Sequence, residues 1–281
     1  MTGNGSAATV DAVCVYWNES AEQLAYFVAS LARAWHELPS ERRGKALLVD
    51  NGAGTGPAVA AQLRSALGVD VELFTFDRNV GPTLARNRAF EEVTAEYAAA
   101  FDADGAPAPD ALVLLADALD AYPDAALTAA RVVPFSGEQP QLPAGGVREL
   151  EWGPAGATLY RREALQELGG FDTLFVWACE DLDFGHRARA VGWRCLEVEA
   201  ATFAHEATDR ATVRRTRLLT EYMLMWRHIH FRRSTVVKSW LVQLPLLIRT
   251  NPGRRASVIV GGSLGLLAYL RHVPACERRR R

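Results

Sequence analysis

The chain has only four cysteines in 281 residues, Cys14, Cys179, Cys195 and Cys276, and no two of them form a Cys-x-x-Cys pair. That spacing argues against a zinc knuckle or a disulfide framework and fits a reducing compartment. Long apolar runs are also missing. The longest uncharged one, Ser257 to Leu270, is interrupted by Gly261, Gly262 and Gly265 and is expected to fall short of a bilayer span. Met1 to Thr9 has no basic start followed by an apolar stretch, so no signal peptide is expected. There is no internal repeat. Acids are scarce toward the C-terminus: from Arg210 onward 16 Lys or Arg face only Glu221 and Glu277, a net of +14. Residues 1–209 hold 15 basic and 31 acidic groups, a net of −16, so the overall −2 conceals two oppositely charged regions with different partners. The basic region lacks the aromatic and base-edge signatures of a nucleic-acid reader, and no nucleic-acid partner is expected.

The composition, 49% hydrophobic and 23% charged, is that of a chain able to bury a full core. Its first half alternates short apolar runs with helical stretches. Strands are expected at Val10–Trp17, Ala46–Val49, Val69–Phe76 and Tyr97–Phe101. Helices are expected over Ser20–Trp35, from Pro57, and over Pro82–Glu96. This pattern predicts an α/β fold with a parallel sheet covered by helices. Ligands bind such sheets at the carboxyl ends of the strands, where Asp50, Asp77 and Asp102 fall. The second half is less regular. Pro134–Gly146 reads as a loop, Gly156–Tyr160 as extended, Arg162–Leu168 as helix and Gly169–Asp172 as a turn. Glu180–Val191 reads as helix and Arg194–Val198 as strand. From Thr212 onward helices are expected, with breaks near Pro245 and at Asn251-Pro252-Gly253.

Two acidic clusters carry chemistry. On a strand, Asp102 and Asp104 would point the same way, and two carboxylates so placed favour a cation between them. A hard divalent metal holding a diphosphate would serve; a polar loop after a strand is the alternative. Glu180-Asp181-Leu182-Asp183 opens a helix, where the macrodipole favours acids on its own account. Arg187 stands one turn beyond Asp183 and is expected to pair with it.

Several motifs stand in a telling order: Tyr16-Trp17-Asn18, Asp50-Asn51-Gly52, Asp77-Arg78-Asn79-Val80-Gly81 and Ala85-Arg86-Asn87, then Asp102-Ala103-Asp104, Gly169-Gly170-Phe171-Asp172, Glu180-Asp181-Leu182-Asp183 and His205. Over residues 10–230 the chain resembles inverting family-2 glycosyltransferases of the GT-A fold, and its later part resembles their bacterial rhamnosyltransferase-like subgroup. The resemblance implies a Rossmann-like, mostly parallel central sheet with flanking helices over residues 1–210, and a basic helical segment over 211–281. It implies transfer of a sugar from a UDP- or dTDP-type donor to a saccharide, lipid-linked or natural-product acceptor. Asp50 would accept the imide N–H of the base, with Tyr16 or Trp17 packed on it and Asn18 beside them. Asn79 and Gly81 would shape the loop at the ribose and diphosphate, and Arg86 would touch sugar or phosphate, or lie on a helix surface. Asp104 and His205 would hold Mn²⁺ or Mg²⁺, with Asp102 on the ribose or on the metal through water. Asp181 would be the general base and Glu180 would orient the acceptor.

Arg88, the Val176–Cys179 lead-in and Trp17 depart from the family pattern near the sugar or acceptor. The amphipathic stretches Trp240–Ile248 and Val258–Leu270, with Arg249, Arg254, Arg255, Arg271 and Arg278–Arg281, would lie in a membrane interface, pack on the body, or meet a second subunit in a homodimer. The location implied is cytoplasmic, or peripheral at the inner face of the membrane. Two other functions compete. A nucleotidyltransferase would want a Gly-rich basic loop after the first strand, which Tyr16–Ser20 lacks. A non-catalytic binding protein would not need Asp102, Asp104, Asp181 and His205 together.

Overall fold

Along β1 (Val10–Tyr16), the side chains of Val10, Ala12, Cys14 and Tyr16 enter one apolar cluster and Val13 enters another. β2 (Arg43–Asp50) divides the same way, with Ala46 and Leu48 against Leu47 and Val49. In the computed structural model, which describes residues 8–135, 146–205 and 212–280, these strands are therefore buried on both faces and need cover on both. The first face is covered by α1 (Ala21–Glu37), α2 (Gly56–Leu67) and α4 (Ala111–Ala121). The second is covered by α3 (Pro82–Phe90), α5 (Arg162–Leu168) and α6 (Glu180–Ala190).

β3 (Val71–Thr75), β2, β1 and β4 (Tyr97–Asp102) run parallel, in that order. Beyond β4 the sheet becomes mixed. β8 (Ala157–Arg161) is antiparallel to both β4 and β6 (Ala125–Val133), and β9 (Arg194–His205) is parallel to β6. β5 (Gly105–Pro107) and β7 (Val147–Leu150) each pair antiparallel with β9. The α/β sheet with flanking helices is the one expected; its antiparallel members lie where the sequence offers no strand–helix alternation.

Several boundaries differ from expectation for identifiable reasons. α3 ends at Phe90 rather than Glu96, because the buried Asp11 carboxylate accepts the backbone N–H groups of Thr94 and Ala95 at 2.8 and 3.0 Å and draws the chain into β4. β9 continues past Val198. Its register with β6 jumps from Ala130↔Val198 to Arg131↔Thr202, and the end beyond the jump pairs His205 with Gly105. Most of the expected Pro134–Gly146 loop lies outside the described residues.

The chain divides into two compact units: Met1–Val176 with Glu180–Ala207, and Trp177–Cys179 with Thr208–Arg281. The second contains α7 (Val213–His230), α8 (Arg233–Thr250) and α9 (Arg255–Arg279). Pro245 lies inside α8 and does not end it; the break falls at Asn251–Arg254. Nor do the glycines of α9 interrupt it. A Cβ on Gly261 would stand 2.7 Å from the Cβ of Thr216, and one on Gly265 would stand 2.6 Å from the carbonyl of Arg217, so both let α9 approach α7 closely. The expected short apolar run is thus part of a 25-residue helix. With mean hydropathy 1.3 in its best window, Pro252–Arg279 is long and apolar enough to cross a membrane, by length and composition alone.

Candidate active site

Strand parity decides where the acids at the sheet's carboxyl edge point. Asp50 follows Ala46 and Leu48 toward α2, and its side chain is fully buried. Its Oδ1 accepts the backbone N–H groups of Ala53 (2.6 Å) and Gly54 (3.2 Å), and its Oδ2 accepts that of Gly56 (2.7 Å), the first residue of α2. Burial alone would raise its pKa, but these bonds and one from Tyr16 hold it below the ordinary carboxylate value. The carboxylate thereby folds its own loop and caps α2. Tyr16 is likewise a core ring, with its hydroxyl 3.1 Å from Thr55 Oγ1, whereas Trp17 and Asn18 are exposed. Of the two candidate rings, Trp17 is therefore the available one. Asp77 is exposed and stands apart from this arrangement.

The loops after β2 and β3 are locked together. Asn51 donates to Asn79 Oδ1 at 3.0 Å and accepts the N–H of Val80 at 2.9 Å, and Asn79 accepts the N–H of Gly81. Gly81 has φ +93°, and a Cβ there would stand 2.5 Å from Val176 Cγ1. Only glycine suits that backbone and that space.

Asp102 continues the Ala98, Ala100 parity toward α3, where Arg86 meets it. Arg86 is buried. It neither lies on a helix surface nor reaches outward; one guanidinium nitrogen bonds Asp102, and another lies 3.2 Å from Glu180 Oε1. Burial opposes its charge, yet the two carboxylates outweigh this and raise its pKa further. Its neighbours on α3 bind other motifs. Asn87 clamps the Gly-Gly-Phe-Asp turn through Phe171 O (2.8 Å) and Phe171 N (2.9 Å), and Thr83 donates to Phe175 O. Arg88 instead pairs with Glu92 at 2.8 Å and covers the Phe74 ring, so this departure from the family pattern has a structural role.

Asp102, Asp104 and His205 each offer a ligand atom, all within 4.8 Å of one another. Asp104 lies not on a strand but in the turn after β4. The Gly105↔His205 pairing brings His205 Nε2 to 3.1 Å from Asp104 Oδ1. Burial would raise the Asp104 pKa, but His205, and then Arg86, lower it, favouring the ionised form a metal needs. Two carboxylates and an imidazole are donors that suit Mn²⁺ or Mg²⁺, although Asp102 already shares one oxygen with Arg86.

At the start of α6 burial acts on acids directly. Glu180 is pushed up to about 7 by desolvation and the adjacent Asp181, against the pull of Arg86. Asp181 is also raised by burial, opposed by the backbone N–H groups of Leu182 and Ala155 and by the Arg86 charge. Cys179, just before them, holds a left-handed backbone (φ 67°) that non-glycine residues rarely adopt. Asp183 takes no part: it is buried and pairs with Arg187 Nε at 2.6 Å, as its spacing predicts.

The sequence reading missed Gly156. Asp102 donates its N–H to Gly156 O at 2.8 Å, and its carboxylate fills the space where a Gly156 Cβ would stand. A glycine opening an extended segment is the signal that marks such a close approach.

A family model described as glycosyl transferase family 2 matches residues 11–175, and the chain belongs to that family. It is a glycosyltransferase. It is 25% identical over 223 residues, 64% of this chain and 70% of the relative, to the N-acetylglucosaminyl-diphospho-decaprenol L-rhamnosyltransferase of Mycobacterium tuberculosis. Its fold is similar to S. aureus TarS 1-349 in complex with UDP-GlcNAc, with a TM-score of 0.62, 14% identity, and coverage of 97% of this chain and 89% of that one. It is also similar to GalNAc-T7 with UDP, GalNAc and Mn2+, with a TM-score of 0.59, 16% identity and 80% of this chain covered; the match spans 50% of the GalNAc-T7 chain.

Proposed function

We propose that the protein moves a sugar from a nucleoside diphosphate donor of the UDP or dTDP type to a hydroxyl of a saccharide, with inversion, and that the acceptor is lipid-linked. The observation that carries this reading is Arg86. It joins Asp102, in the cluster suited to a metal, to Glu180, next to Asp181. Donor and acceptor chemistry thus belong to one connected set of charges. The name of the mycobacterial relative supports a lipid-linked saccharide as acceptor.

In this scheme Trp17 stacks on the base, and the loop folded by Asp50, Asn79 and Gly81 borders the ribose and diphosphate. Asp104 and His205, with Asp102, would hold Mn²⁺ or Mg²⁺, which supplies Lewis-acid stabilisation of the departing diphosphate. Asp181 removes the proton from the acceptor hydroxyl. That oxygen forms its bond to the anomeric carbon as the carbon–phosphate-oxygen bond breaks on the opposite side. The leaving oxygen keeps the electron pair. Glu180, held by Arg86, is a positioning residue.

The test separates binding from transfer. Asp181→Asn is expected to bind the donor with unchanged affinity by calorimetry and to lose turnover; full turnover would overturn the base assignment. Asp104→Ala is expected to abolish the Mn²⁺ dependence of donor binding. Equal binding by the native protein in chelator would overturn the metal assignment. A thermal-shift screen of nucleoside diphosphates with Mn²⁺ identifies the nucleotide.

A further inference from the structure

The C-terminal unit leaves an apolar, cationic face uncovered. α8 exposes Leu241, Val242 and Leu246, and α9 exposes Val260, Leu264, Leu267 and Leu270, each 42–66% accessible. On α9 the four recur at steps of four, three and three, which keeps them on one side of that helix, and on α8 Leu246 lies one turn beyond Val242. A groove of about 440 Å³, lined in part by Trp240, Leu241, Leu266 and Leu270, makes the two stripes neighbours on one face. Arg249, Arg254, Arg255 and Arg271 are exposed on the same two helices and the bend between them.

Few acids accompany these arginines within the C-terminal unit. Beyond Arg210 the only acids are Glu221 and Glu277. Glu221 is buried, 3.0 Å from His272 and 3.4 Å from Arg217. Glu277 lies 2.7 Å from His228. Both acids fasten α7 to α9; Glu277 is half-buried and also lines the groove beside its His228 partner.

We propose that this face docks on an anionic lipid bilayer, with α8 and α9 lying in the plane of the interface and their leucines in the acyl boundary. A second copy docked through the same face would bring the same excess of positive charge against itself. A cationic protein surface would meet no acid but Glu277, already paired with His228. A nucleic acid would find leucines where it needs polar contacts. A phospholipid surface with acidic headgroups matches both the exposed leucines and the exposed arginines of these helices. The Gly261 and Gly265 side of α9 is committed to α7, which carries Arg214, Arg215 and Arg217, so lipid cannot enclose α9 as a span without burying those charges.

Vesicle flotation of the full chain, without donor or acceptor, tests this independently of the sugar-transfer reading. Co-flotation is expected with phosphatidylcholine vesicles containing phosphatidylglycerol, and it should be lost in high salt. Replacing Arg249, Arg254 and Arg255 with Gln is expected to weaken partitioning by about fivefold per charge. Leu264→Glu with Leu267→Glu is expected to abolish it. Circular dichroism checks that each variant is folded; for one that is not, the lipid and salt dependence of the native chain decides. Three results would overturn the proposal: no flotation with anionic vesicles, equal flotation with neutral ones, or a native dimer that the leucine variant converts to monomer.

Discussion

Gly156 provides the space that the Asp102 carboxylate occupies. A Cβ on Gly156 would stand 2.0 Å from both Cγ and Oδ2 of Asp102, a distance no real contact allows. Asp102 is thus seated from below by an absent side chain and from above by Arg86.

Gly156→Ala should therefore behave as an active-site substitution although it removes no functional group. Displacing Asp102 by about 1 Å is expected to lower kcat/KM about 100-fold, with a stability loss of about 1–3 kcal/mol from overpacking. Steady-state kinetics and urea melts measure the two separately. Retention of native kcat/KM would show that the position of Asp102 does not matter.

Arg86→Gln leaves Glu180 buried without its cation. Removing one partner of a buried pair costs about 3 kcal/mol or more, to be read from denaturant midpoints. Arg86→Lys should recover only part of this, because an ammonium cannot bridge two carboxylates as a guanidinium does.

The raised carboxylates set the pH response. The acid limb of the rate profile should lie above the ordinary carboxylate range, with turnover lost as pH falls and the Glu180–Asp181 pair takes up a proton. Stability should move oppositely. A Glu180 raised from 4.5 to about 7 makes the folded state bind more protons than the unfolded one between those values, so its contribution falls as pH rises across that window. Arg86→Gln should shift the acid limb further upward. A limb in the ordinary carboxylate range would contradict the burial of this pair.

Asp50 and Trp17 should separate cleanly. Asp50→Asn would set an amide nitrogen against a backbone N–H, costing about 1–3 kcal/mol, visible as a lower melting temperature without donor. Trp17→Ala should leave the melt unchanged and weaken donor binding about tenfold, in line with the loss of one stacking partner.

The first four strands and their helices were legible because two-residue and helical periods alternate cleanly from Val10 to Asp102. β8 was legible as the extended segment Gly156–Tyr160, but β5, β6 and β7 were not, since their pairing depends on β9, distant in the sequence. The types of residue at the site were legible, but their directions were not. Counting parity from Ala46 and Leu48 turns Asp50 inward, and counting it from Ala98 and Ala100 turns Asp102 toward Arg86. That count requires knowing which face each helix covers. The glycines of α9 suggested weakness to a composition-based reading, and only the position of α7 shows them as contacts.

α3 has a consequence for synthesis. Its nine residues emerge early, yet Arg86 waits for Asp102 and Glu180, Asn87 for Phe171, and Thr83 for Phe175. A nascent chain that has not reached Glu180 has a guanidinium with one of its two acids and a turn without its clamp. The sheet's parallel half can form before then, but the site cannot, so a translational pause upstream of residue 180 would hold the protein as a partly folded intermediate with no active centre.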